Sequence, residues 1–270
     1  MAQVCCIVFG LGALILATVA VTTGILLWRQ GHLQWHGKGT TANISEIILR
    51  RCESYTPRKG LQLKEKNCKE IWKAFKNSFI SKDPCSITEE DYLPLMKLTN
   101  QTVPCHQTLF WSKMPTLARQ LFQDQRKVFS LEDLLLGSIT DGLTWCGSRG
   151  TSEMNYQSCP DRRKDCSNNP VSVFWKTASK KFAADACGEV LALLNGSIPE
   201  PFDRNSIFGS VEILNLNSKA VHLLQAWVIH DAGDSRDSCL SSSINDLKSI
   251  ITERNIRFTC QKEYRPARLV

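Results

Sequence analysis

The hydropathy pattern opens on 25 consecutive positions without a charge, Val4 to Trp28. As a helix, a run of that length spans a bilayer. The alternative is a cleaved signal peptide, whose apolar region is usually about 7–15 residues long and follows a positive segment; only Met1-Ala2-Gln3 precedes this run. The reading is an uncleaved signal anchor at 4–28, with a cytoplasmic tail at 1–3 and a stalk at 29–44. Arg29, the only nearby charge, lies on the C-terminal side and by the positive-inside rule favours the reverse orientation. Other residues must decide it.

Beyond the stalk, a short helix carries Ile44, Ile47 and Ile48. From Cys68 to Ser81 the residues Ile71, Trp72, Phe75 and Phe79 recur at intervals of three and four, an amphipathic helix closed by Pro84. Ser86-Ile-Thr-Glu89 has the form of a capping box and starts a helix through Tyr92 and Met96, with Pro94 near its first turn. Thr108–Ser112 reads as a strand, and Pro115 opens a helix through Leu117, Leu121 and Phe122. Ser130-Leu-Glu-Asp133 is a second capping box, whose helix continues through Leu134–Leu136 to Gly137.

After a cysteine-rich loop at 146–170, Val171–Ala186 reads as helix. Three β-type runs follow: Glu189–Leu194, Val211–Leu216 and Leu223–His230, the last almost continuously apolar, as a buried parallel strand is. A helix at Ser243–Arg254 and a strand at Ile256–Cys260 end the pattern. The fold class is therefore mixed, α+β or α/β, with a helical half followed by a half containing a parallel β-sheet flanked by helices.

Composition narrows the setting. The 270 residues are 43% apolar and 22% charged, enough core for one large domain or two small ones. The net charge of +7 is moderate, and its basic runs (Arg50 and Arg51, Lys64 to Lys69, Arg162 to Lys164, Lys180 and Lys181) are mixed with acids and lack an aromatic ladder. They read as solvated surface, not as a nucleic-acid patch. Twelve cysteines are present, Cys5 and Cys6 in the anchor and ten beyond it, with no Cys-x-x-Cys pair and only five histidines. That pattern favours a disulfide framework and no metal site. Three sequons, at Asn43, Asn100 and Asn195, agree with an oxidising lumen. Residues 29–270 are accordingly placed outside the cell or in a secretory compartment.

Among candidate chemical groups Glu212 leads. It stands where a polar, glycine-containing turn, Asn205–Ser210, feeds the run Val211–Leu216, so that it can face a cleft while Val211 and Ile213 enter a core; a solvated strand acid is the plain alternative. Glu132 and Asp141 are nine residues apart, on opposite faces of any continuous helix, and share a site only if the chain breaks, which Gly137 or Gly142 permits. Asp133 serves the capping box and leaves Glu132 free. Trp111, at the end of the first strand with Ser112 and Lys113 after it, and Trp175, in the helix after Pro170, can stack on a flat ring or simply fill core. A dinucleotide fingerprint, a nucleophile elbow, a Walker loop and a His-Glu-x-x-His motif are all absent.

Particular strings say more. Tyr156-Gln-Ser-Cys-Pro160, Asp165-Cys-Ser-Asn-Asn-Pro-Val-Ser-Val-Phe-Trp-Lys176, Leu194-Asn-Gly-Ser197, Phe208-Gly-Ser-Val-Glu212, Ala226-Trp-Val-Ile-His230 and Tyr264-Arg-Pro266 closely resemble the ADP-ribosyl cyclase/cyclic ADP-ribose hydrolase family, over about residues 45–268. With an N-terminal anchor and no C-terminal hydrophobic tail, the chain is similar to the type II lymphocyte-surface members. The resemblance implies two interleaved halves: a helical one at about 31–104 and 130–186, and an α/β one at about 105–129 and 187–270. It also implies the pairs Cys52–Cys68, Cys85–Cys166, Cys105–Cys187, Cys146–Cys159 and Cys239–Cys260.

For chemistry it implies cleavage of the nicotinamide–ribose bond of NAD, with NAD as substrate and no cofactor. Glu212 would stabilise the ribosyl cation. Trp111 and Trp175 would line the pocket. Glu132 and Asp141 would bind the carboxamide, with Glu132 biasing the intermediate between water and adenine. Ser112, Lys113, Ser206 and Phe208 would surround the diphosphate. The implied partners are NAD and cyclic ADP-ribose at a plasma-membrane, type II ectoenzyme, with a homodimer left open and no nucleic acid. A catalytically silent surface receptor on the same scaffold is the alternative, and the presence of Glu212, both tryptophans, Glu132 and Asp141 argues against it.

The chain departs from the family pattern at Ile207, where threonine is usual, at Lys113, which gives up arginine's bidentate geometry, and at Pro115, where a lysine often stands. It also stops at Arg268-Leu-Val270, ahead of the family's last cysteine pair, and begins with a very short tail. Both ends suggest a variant transcript or an incomplete gene model.

Overall fold

The computed structural model describes residues 34–55, 66–114, 128–231 and 238–264. The expected anchor with Cys5 and Cys6, the helix opening at Pro115 and the C-terminal Arg268-Leu-Val270 lie outside the described residues. Among those residues no helix is long and apolar enough to cross a membrane.

In chain order the elements are β1 (Gly37–Lys38), α1 (Ile44–Tyr55), α2 (Cys68–Asn77), α3 (Glu89–Leu98), β2 (Thr108–Ser112), α4 (Leu135–Thr140), β3 (Ser158–Cys159), α5 (Pro170–Ala184), β4 (Gly188–Asn195), α6 (Ile213–Asn215), β5 (Val221–His230), α7 (Ser242–Glu253) and β6 (Arg257–Tyr264). Single 3-10 turns lie at Leu131–Asp133 and Ser238–Leu240, and a π-helical turn at Phe208–Glu212.

The caps explain the helix boundaries. Asn67 starts α2 by accepting from the N–H groups of Lys69 and Glu70, and the helix buries Ile71 and Phe75. α3 starts two residues later than Ser86-Ile-Thr-Glu89 suggested. The capping box is Thr88 with Asp91, whose carboxylate accepts from the Thr88 N–H at 2.8 Å. Pro94 therefore falls inside the helix, beyond its first turn. α5 carries Pro170 at its first position and Asn169 as cap.

The four strands β2-β4-β5-β6 form one sheet, parallel throughout. Its two central strands are covered on both faces, as parallel strands are. Val190, Ala192, Leu194, Leu224, Ala226 and Val228 enter the main core with the helices. Leu109, Leu193 and Ile229 form a smaller cluster with Met114.

One expected strand is absent. Val211–Leu216 is not extended; it follows the π-helical turn into α6. Residues 35–41, expected as stalk, pack against the cysteine-rich loop: β1 pairs with β3, and Thr40 bonds the backbone of Cys146. The disulfides are Cys52–Cys68, Cys85–Cys166, Cys105–Cys187, Cys146–Cys159 and Cys239–Cys260, the pairing that the resemblance implied. Cys105–Cys187 ties the entries of β2 and β4 together. Of the sequon asparagines, Asn43 and Asn100 are exposed and Asn195 is half-buried.

Candidate active site

A cleft of about 590 Å³ opens at the carboxyl end of β2, where open parallel sheets bind ligands. Each of the nine candidate catalytic and substrate-binding residues lines it: Trp111, Ser112, Lys113, Glu132, Asp141, Trp175, Ser206, Phe208 and Glu212. Ile207 does too.

Glu212 ends the π-helical turn. Ser206 starts that turn as a cap does, its hydroxyl accepting from the Gly209 N–H at 3.0 Å. A Cβ on Gly209 would stand 2.4 Å from the Asp203 carbonyl, so only glycine lets the turn lie this close to the preceding loop. The Glu212 side chain is buried, and its carboxyl is pushed up to about 8. Loss of solvation is the main cause. A hydrogen bond with Ser179 pulls the other way, and the nearby Glu132 carboxylate adds to the rise.

Glu132 and Asp141 reach one site because the chain breaks between them. The break falls at Leu134, which is extended (ψ 160°), between the 3-10 turn and α4. Ser130 and Asp133 close the capping box ahead of it. Two buttresses hold it: Tyr55 donates to the Asp133 carbonyl at 2.7 Å, and Gln101 accepts from the Leu135 N–H at 3.0 Å. Gly137 contributes close approach, since a Cβ there would sit 2.1 Å from the Leu131 carbonyl. Arg51 donates to the Asp141 carbonyl at 2.7 Å, a cation at a helix C-terminus, and Gly142 (φ 73°) turns the chain away.

The tryptophans are half-buried and oriented. Trp111 donates its indole N–H to Glu132 Oε2 at 3.0 Å, and the Trp175 ring packs edge-on against Phe174. Lys113, in the left-handed region (φ 59°), lies 3.4 Å from Asp203 at the cleft mouth.

Ser179 was not singled out from the sequence. Trp175, Ser179 and Phe182 stand at helical spacing and line the same cleft from α5; that spacing, together with Trp175, was the available signal.

Fold and site together define a disulfide-stapled α/β enzyme with a cleft centred on a buried carboxylate. The chain belongs to the ADP-ribosyl cyclase family, whose model matches residues 41–270. It is 54% identical to ADP-ribosyl cyclase/cyclic ADP-ribose hydrolase 1 of Rattus norvegicus, over 91% of this chain and 81% of that protein. Against the Mus musculus protein of the same name it is 52% identical over 97% of this chain and 87% of that one. Among solved structures it is similar to porcine CD38 complexed with a covalent intermediate, ribo-F-ribose-5'-phosphate: TM-score 0.82, 54% identity, 86% of this chain and all of the other.

Proposed function

We propose that the chain is a membrane ectoenzyme that cleaves the nicotinamide–ribose bond of NAD, releasing nicotinamide and ADP-ribose with a minor cyclic ADP-ribose product. The observation that carries this reading is Glu212, a buried carboxyl in a cleft that also holds two further acids and two indoles.

The chemistry suits that arrangement. The C1′–N bond breaks with its electron pair going to the pyridinium nitrogen, so nicotinamide leaves neutral and needs no general acid. Positive charge is left on the ribosyl centre, as in glycoside hydrolysis. An ionised Glu212 stabilises it electrostatically in a site of low dielectric and closes on C1′ to form an ester. Capture by water then gives ADP-ribose, and capture by the substrate's own adenine N1 gives the cyclic product. The covalent intermediate named for porcine CD38 supports the ester step. Ser179 orients the carboxylate, Trp111 and Trp175 hold the rings, and Glu132 and Asp141 take the carboxamide. Lys113, Ser112, Ser206 and Phe208 face the diphosphate.

In the same reading, residues 4–28 anchor a type II plasma-membrane protein. Residues 45–270 form the ectodomain, in two interleaved halves, with Asn43, Asn100 and Asn195 as glycan sites.

The test is chromatography of NAD incubated with the full chain in detergent micelles, beside Glu212→Gln. Nicotinamide and ADP-ribose from the wild type alone are expected. Near-normal turnover by a folded Glu212→Gln protein would overturn the assignment.

A further inference from the structure

At the amino end of the sheet, away from the cleft, side chains from β4, from β5 and from the segment just ahead of β2 converge. We propose that His106, Glu189 and His222 form a binding site for one zinc-class transition-metal dication. One donor-type atom from each lies within 4.8 Å of the other two. Glu189 Oε1 and His222 Nε2 stand 3.7 Å apart, and the two imidazoles meet nearly edge to face with centroids 5.7 Å apart. Zinc–nitrogen and zinc–oxygen bonds of about 2.0–2.2 Å on a tetrahedron put two donors roughly 3.4 Å apart. The Glu189–His222 pair is close to that spacing, and a modest turn of His106 completes the set.

The backbone is irregular at His106, at His222 and at Gly188 beside Glu189, and each irregularity serves the convergence. His106 has φ 66°, just ahead of β2. Gly188 has φ 77° and lacks a Cβ that would meet the His106 ring at 2.8 Å. At His222 the register between β4 and β5 slips: Gly188 pairs with Val221 but Glu189 with Leu223, leaving His222 as the extra residue of a bulge. Bulges re-aim side chains. The Cys105–Cys187 disulfide holds the flanking backbones with their Cα atoms 4.7 Å apart.

Donor chemistry sets the ion. Two imidazoles and one carboxylate suit zinc and its neighbours, whereas calcium and magnesium take oxygen ligands. Both histidines are exposed and Glu189 half-buried, so an ion and its remaining water ligands reach the site from solvent. His106 Nδ1 accepts from the Glu189 N–H at 3.1 Å. Coordination needs a ring lone pair, so His106 gives up that hydrogen bond on binding.

The test is calorimetric titration of zinc chloride, with calcium chloride as control, into the full chain in detergent micelles. The same titration is run on His106→Ala, His222→Ala and Glu189→Gln. One equivalent of zinc should bind saturably to the wild type and raise its unfolding midpoint with concentration. Each histidine variant should bind about tenfold or more weakly while keeping wild-type NAD turnover without zinc, and calcium should do nothing. Should a histidine variant prove unfolded, Glu189→Gln carries the comparison, since it removes a donor at nearly constant shape. Absence of saturable binding, or the same affinity and stoichiometry in the variants, would overturn the site and leave the three residues as an ion pair and a backbone cap.

Discussion

Glu212 meets two opposed demands. Burial holds its carboxyl at about 8, so it is mostly protonated at neutral pH, whereas a ribosyl cation is stabilised by the ionised form. A bound nicotinamide riboside brings its own positive charge and favours the carboxylate. The pH profile of kcat/KM reports the free enzyme and should rise through an apparent pKa near 8, with the kcat limb lying lower. Glu132→Gln removes a neighbouring negative charge but keeps an oxygen for the Trp111 indole, so it should move the kcat/KM limb to lower pH. A limb that stays or moves up contradicts the coupling. The same group links to stability. Its folded pKa lies above the unfolded one, so its contribution is fully present below the ordinary glutamate range and is lost as pH rises through 8. Glu212→Gln should therefore stabilise the fold at pH 9 by on the order of a few kcal/mol and change little at pH 4. Thermal unfolding at the two pH values checks this, and equal effects would discount burial as the cause.

The elements show what periodicity can and cannot reveal. β2, β5, α2 and α5 were legible because long apolar runs or three-and-four spacing admit one reading. Val211–Leu216 was not, since Val211 and Ile213 fit a strand's alternation while Ile213 and Leu216 stand at helical spacing. What decided it was local: Ser206 capping the Gly209 N–H, with Asp203 bonding the Asn205 N–H. The site residues were legible mainly through the family strings; without them Glu132 and Asp141 sat on opposite faces. The break that unites them is held by Tyr55 and Gln101, from α1 and the segment before β2, which no local pattern announces. Gly137 is the weak point of that arrangement. In Gly137→Ala the new methyl meets the Leu131 carbonyl and the Glu132 backbone, so the 3-10 turn must shift. A loss of about 1–3 kcal/mol is expected, together with a changed ratio of cyclic to hydrolysed product as Glu132 leaves Trp111. Wild-type stability with a wild-type product ratio would show that the turn is not held by this contact.

Across the whole molecule, the cleft draws on β2, the 3-10 turn, the segment that follows α4, α5 and the π-helical turn, which span the chain from Leu109 to Glu212. Its geometry therefore depends on long-range closure, and two disulfides supply it: Cys85–Cys166 and Cys105–Cys187, separated by 81 and 82 residues. They are not independent. With Cys85–Cys166 in place, the loop that Cys105–Cys187 closes in the unfolded chain is the circuit of roughly 40 residues through the first bridge, and the chain-entropy gain falls accordingly. Cys146–Cys159 closes a separation of 13. On that account, replacing Cys105 and Cys187 by alanine should cost about 1 kcal/mol more than replacing Cys146 and Cys159, each loss being about 2–4 kcal/mol. Denaturant unfolding of the two double variants measures the difference. A larger loss from the short bridge would mean that Cys146–Cys159 acts through the native packing of the cysteine-rich loop, where Thr40 bonds the Cys146 backbone, and not through the unfolded chain.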